Sequence, residues 1–201
     1  MISKLQYISQ GETPEAHLEN LRKACVAGAD WVQLRLKKYD IETILETAKK
    51  AREITNSFNA KLIINDHYKI AKAIKADGVH LGKSDECPLV VRTYLGKIFI
   101  IGGTANTAED CKSLLLKKVD YIGLGPYQFT ETKKNLSQVL GVKGYQKILE
   151  ELQTETPIIA IGGITLKDVS AIINTGIYGV AVSGEITKEV SSIADFQEIL
   201  N

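Results

Sequence analysis

The sequence predicts a (β/α)8 barrel, a TIM barrel formed as one domain over residues 1–201. Three observations carry this. Eight short β-rich runs are spread along the chain, stretches with apolar residues every three or four positions separate them, and no linker, low-complexity tract or charge block interrupts the series. A chain of 201 residues can bury one sizeable core and needs no second one. An open doubly wound sheet obeys the same alternation and stands as the alternative, because alternation alone does not decide closure.

LQYIS opens the series and is followed by a helical stripe of Leu18, Leu21, Ala24 and Cys25. WVQLRLK precedes a clearer stripe, Ile41, Ile44, Leu45, Ala48, Ala51 and Ile54, and KLIIN precedes Ile70, Ala71 and Ile74. GVHLG leads into Pro88 to Leu95, the weakest segment, which reads as a short helix or a turn. KIFIIGG is followed by Cys111, Leu114 and Leu115, and DYIGLG by Tyr145, Ile148, Leu149 and Leu152. PIIAIGG precedes Val169, Ile172 and Ile173, and YGVAVSG precedes Ile193, Phe196, Ile199 and Leu200.

Charge and composition exclude several functions. Lys and Arg number 25 against 24 Asp and Glu, so a net charge of +1 draws the protein neither to nucleic acid nor to an anionic membrane. No segment approaches the roughly 20 apolar residues that span a bilayer, and MISKLQYISQ lacks a signal peptide's apolar run. The expectation is a cytoplasmic protein acting on small molecules, and nothing excludes assembly into a homo-oligomer. Cys25, Cys87 and Cys111 are widely separated and odd in number, which predicts reduced structural thiols.

In WVQLRLK the side chains alternate, Val32, Leu34 and Leu36 on one face and Gln33, Arg35 and Lys37 on the other. A buried parallel strand is normally apolar on both faces. If the apolar face packs on the helices, the polar one points into the barrel, where unpaired cations cost several kcal/mol and call for a bound anion such as phosphate or diphosphate. An edge strand with one solvated face is the alternative.

Asn65 and Asp66 follow LII, and Asp85 follows GVHLG by three residues. Neighbouring barrel strands lie about 5 Å apart, so the two carboxylates can approach one Mg2+, whose remaining positions substrate phosphates and water would fill. Helix capping by Asp66 and a turn at Asp85 are the plainer readings. His80, within a strand and without a ligand motif, reads as a hydrogen-bonded interior residue.

After YIGLG comes PYQFTETKKNLSQ, longer than the roughly 2 to 6 residues usual between strand and helix, with Thr130, Thr132, Lys133 and Lys134 available to a ligand. IGGI and VSG end strands seven and eight, where glycine lets backbone N–H groups approach a phosphate or simply makes a tight turn.

QLRLK at 33–37, NDHYKIA at 65–71, DGVHLGKSD at 77–85, DYIGLGP with TETKK between 120 and 134, IAIGGI at 159–164 and GVAVSG at 179–184 together resemble the thiamine phosphate synthase (thiamine phosphate pyrophosphorylase) family across nearly the whole chain. The resemblance implies a (β/α)8 barrel that joins hydroxymethylpyrimidine diphosphate to thiazole phosphate and releases pyrophosphate. It implies that Gln33, Arg35, Lys37, Asn65 and Lys133 hold the diphosphate, with Arg35, Lys37 and Lys133 catalytic. Asp66 and Asp85 would ligate Mg2+. Thr130, Thr132 and Gly163 would contact the thiazole phosphate, helped by Ser183 and the backbone of Gly184, and Thr104 would hydrogen-bond the pyrimidine.

Lys83 stands where the family usually has Gln, Thr104 where it has Ser, Gln128 and Phe129 where it has Phe-Pro, and Gly184 where it often has Ser. Two other readings compete. A related thiazole tautomerase relies on a histidine after strand five, where this chain reads GGTANTAED, and a catalytically silent phosphate-ligand binder would tolerate the altered pockets.

Overall fold

A computed structural model describes residues 2–129 and 138–201. Its strands are β1 (Leu5–Ile8), β2 (Trp31–Leu34), β3 (Lys61–Asn65), β4 (Gly78–Leu81), β5 (Ile100–Ala105), β6 (Tyr121–Leu124), β7 (Ile158–Ile161) and β8 (Gly179–Val182). Each pairs in parallel with the next, and β8 pairs with β1. The barrel is therefore closed, and the open-sheet alternative falls.

The helices are α1 (Pro14–Val26), α2 (Ile41–Ser57), α3 (Tyr68–Ala73), α4 (Pro88–Leu95), α5 (Ala108–Leu116), α6 (Gly141–Leu152), α7 (Val169–Ile173), α8 (Gly184–Lys188) and α9 (Ser192–Leu200). The doubtful Pro88 segment is a helix, begun by proline, whose missing N–H would lack a partner there in any case. The periodicity missed α8, whose single turn is too short to show an apolar stripe.

Most of the core lies between strands and helices, where Val32, Leu34 and Leu36 join helix residues such as Leu21, Ala48 and Ile193. A smaller cluster of Ile8, Trp31, Ile63, Tyr121, Ile159 and Ala181 fills the barrel itself. Trp31 meets Tyr121 edge to face at 4.9 Å. Because β2 and β6 stand on opposite sides of the barrel, that contact can only run through the interior.

Two strand ends differ from expectation. β5 starts at Ile100, leaving Ile98 90% exposed, and continues through Thr104 to Ala105. β2 stops at Leu34, because the Arg35 N–H bonds the Ser9 hydroxyl at 3.1 Å instead of a strand carbonyl. Arg35 and Lys37 thus stand just above the strand, on the rim. Cys25, Cys87 and Cys111 are free thiols, and burial pushes Cys25 up to about 11 and Cys111 up to about 12.

Candidate active site

One cavity of about 1420 Å³ opens at the C-terminal ends of the strands. Gln33, Arg35, Lys37, Asn65, Asp66, Asp85, Thr104, Gly163, Ser183 and Gly184 all line it. Thr130, Thr132 and Lys133, together with Lys134, lie outside the described residues.

The side over β2 to β4 is built from charged side chains. The Arg35 guanidinium has no hydrogen-bond or ion-pair partner among the described residues. Burial lowers its pKa, and Asp66 opposes the shift. Lys37 reaches Asp66 at 3.3 Å. Burial first, and then the hydrogen-bonding Asp85 carboxyl, push Asp66 above the usual carboxylate range, while Lys37 pulls it down. A carboxylate raised in this way by an acid beside it favours a cation between the two.

Asp66 does not cap α3. His67 occupies the cap without a side-chain bond, and Asp66 takes a left-handed φ of 65°. Asp and Asn adopt that conformation more readily than other residues bearing a Cβ. Asp85 does make the turn, accepting the Gly82 N–H at 2.6 Å, and faces Asp66 as well.

Asn65 is 6% exposed, and its Nδ2 has no partner among the described residues. An orphaned amide at the cavity wall fits an anionic oxygen, since leaving such a donor unpaired costs about 1–3 kcal/mol. Lys83 turns to Asp110 at 2.7 Å, tying the β4 loop to the start of α5.

The side over β6 to β8 carries the glycines, with Thr165, Ser183, Glu185 and Lys188 beside them. Gly162 and Gly163 take φ of 101° and 70°, and a Cβ on Gly163 would lie 2.7 Å from the Phe129 carbonyl oxygen. Tyr127 and Gln128 donate backbone N–H groups to Ile161 and Gly162, both at 2.9 Å, and zip the segment after β6 onto β7. Ser183 reaches Gln10 at 3.4 Å, directly before α8.

Below the rim is a chain of hydrogen bonds that sequence reasoning missed. Gln33 Nε2 donates to Gln6 Oε1 at 3.2 Å, and Gln6 Nε2 donates to Tyr121 Oη at 3.4 Å. Tyr121 Oη meets His80 Nδ1 at 2.9 Å, and His80 Nε2 meets Thr104 Oγ1 at 2.9 Å. His80 is the hydrogen-bonded interior residue expected. A polar residue at position 6 within LQYI was the available signal. Ser9, too, links the Arg35 backbone to His17, whose Nδ1 lies 2.8 Å from its hydroxyl.

Known proteins share this arrangement of strands. The family described as thiamine monophosphate synthase matches residues 5–186. The chain belongs to that family. A thiamine-phosphate synthase of Flavobacterium psychrophilum is 48% identical over 191 residues, covering 94% of this chain and 93% of the relative. One from Phocaeicola vulgatus is 42% identical over 201 residues, covering 98% and 97%. The solved thiamine phosphate pyrophosphorylase of Pyrococcus furiosus superposes with a TM-score of 0.84 at 28% identity, covering 98% of this chain and 97% of that one. These matches support the synthase reading over the tautomerase and the silent binder. No helix among the described residues is long and apolar enough to cross a membrane.

Proposed function

We propose that this member of the thiamine phosphate synthase family binds hydroxymethylpyrimidine diphosphate against Arg35, Lys37, Asn65 and Lys133, with Asp66 and Asp85 holding Mg2+, and binds thiazole phosphate beside Gly163, Ser183 and Gly184. The reaction it catalyses yields thiamine phosphate and pyrophosphate. The observation that carries the site assignment is the convergence on one wall of a single cavity of a guanidinium and an amide that have no partner among the described residues and a carboxylate, Asp66, raised by burial and by the Asp85 carboxyl beside it.

In the reaction, the bond from the pyrimidine methylene carbon to the diphosphate oxygen breaks, and its electron pair leaves with the oxygen. The cation left on the pyrimidine methylene is captured by the lone pair of the thiazole nitrogen. That nitrogen carries no proton, so no general base is needed. What the protein must supply is stabilisation of the leaving group and alignment of the nucleophile.

Arg35 is suited to the first task. Its charge is desolvated before substrate arrives, so it meets the growing charge on the departing oxygens with little reorganisation. Asn65 donates a hydrogen bond to the same group, and the glycine turn holds the thiazole phosphate by backbone N–H. Two carboxylates suit Mg2+, which commonly takes one or two from the protein and completes its shell with substrate phosphates. Among the described residues no group of three or more His, Cys, Asp or Glu forms. Bound there, Mg2+ would neutralise charge on the leaving diphosphate.

The test combines the purified protein with both substrates and Mg2+ and measures thiamine phosphate. Metal-dependent formation is expected. Binding of both substrates without product would overturn the reading.

A further inference from the structure

The interior hydrogen bonds cross five strands, from Gln33 on β2 through Gln6 on β1, Tyr121 on β6 and His80 on β4 to Thr104 on β5. Gln6, Gln33 and Tyr121 are each 2% exposed or less. The fold makes room for the phenol, since a Cβ on Gly102 would lie 2.5 Å from its hydroxyl oxygen. Trp31 packs edge-on against the Tyr121 ring and fixes its plane.

A phenol has one proton. Tyr121 Oη accepts from Gln6, so it spends that proton on its other partner, His80 Nδ1. His80 Nδ1 is then an acceptor, and the ring carries its hydrogen on Nε2, which donates to Thr104 Oγ1. With the hydroxyl of Thr104 accepting inward, its own proton is left for the cavity. At the other end Gln33 has its amide nitrogen turned inward to Gln6, and no described residue donates to its Oε1.

The geometry points to Tyr121, with Gln6 and His80, as a set of positioning residues that fix the hydrogen-bond polarity of the pyrimidine pocket, an acceptor at Gln33 Oε1 and a donor at Thr104 Oγ1. This rests on the synthase reading above and moves Gln33 from the diphosphate to the pyrimidine. The ligand it fits is a pyrimidine with an exocyclic amine to donate and a ring nitrogen to accept. An oxo group in place of the amine would set one acceptor against another, and Gln33 could not turn its amide without breaking the chain below it.

The first measurement is the tautomer of His80 in the resting wild-type protein, read from two-bond 1H–15N correlations after backbone assignment. Hydrogen on Nε2 is expected. Hydrogen on Nδ1, or on both nitrogens, overturns the proposal. The second compares kcat/KM for the natural diphosphate with that for its 4-oxo analogue, in wild type and in Tyr121→Phe. Loss of the phenol proton frees both amides and the imidazole to reverse. Preference for the amino substrate should therefore fall by about tenfold or more, with KM for thiazole phosphate unchanged. A folded Tyr121→Phe protein that keeps its full preference overturns the proposal, and if that variant does not fold, the tautomer of the wild type still decides. A protein that forms no thiamine phosphate would refute the function instead, without affecting the tautomer.

Discussion

On the proposed reading the two halves of the rim solve the same problem, holding phosphate, with different materials. Over β2 to β4 the tools are side chains: Arg35, Lys37, Asn65 and the two carboxylates at 66 and 85. Over β6 to β8 the tools proposed are backbone groups of Gly162, Gly163 and Gly184, which line the same cavity. The contrast follows the chemistry proposed at each end. A leaving diphosphate gains charge as its bond breaks, so full charges and a metal give most of their benefit in the transition state. A thiazole phosphate only needs to be held, and neutral N–H groups do that without binding a second anion too tightly.

The largest effect should come from the side-chain half. Arg35→Ala is expected to lower kcat/KM roughly 10²- to 10³-fold. Thermal stability should be unchanged or slightly higher, since a half-buried charge with no hydrogen-bond or ion-pair partner among the described residues is removed. Activity within twofold of wild type would erase the distinction between the halves. Asp66→Ala should follow, with activity about 10²-fold lower and no longer responsive to added Mg2+. An unchanged metal titration would remove Asp66 from the ligand set.

The backbone half should answer differently. Gly163→Ala forces a Cβ against the Phe129 carbonyl at a positive φ, and KM for thiazole phosphate should rise about tenfold while the diphosphate KM holds. A fall in kcat alone would mean that this turn takes part in the bond-breaking step.

The smallest effect is on stability. Burial chiefly, and the Arg35 charge with it, hold His17 below the usual histidine range, against a hydrogen bond from the imidazole to the Gly11 backbone. A histidine lowered in the folded state leaves stability intact above its unfolded value of about 6.5, and stability is lost as pH falls below that. His17→Asn should therefore flatten the decline in Tm between pH 7 and pH 5.5. An unaltered slope would assign the decline to other groups.

Much of this was legible in the sequence, for identifiable reasons. Strand alternation exposed the Gln33, Arg35 and Lys37 stripe, because a polar face on a parallel strand contradicts burial unless it meets a ligand. The acids at 66 and 85 were legible because sequential strands are neighbours in a barrel. The interior chain was not, since Gln6 and Tyr121 lie 115 positions apart and meet only across the closed interior. Nor could the sequence show that Ser9 ends β2 and lifts Arg35 onto the rim, a matter of one hydroxyl replacing one carbonyl.

The missing side chain at Gly102 has a consequence for how such barrels diverge. The Tyr121 ring occupies the volume where a Cβ at 102 would stand, 2.1 Å from its nearest carbon. The two sites therefore cannot drift independently. Among relatives, a methyl group at the first should appear only beside a smaller residue at the second, so the pair can be sought as a covarying signature in an alignment before any protein is purified.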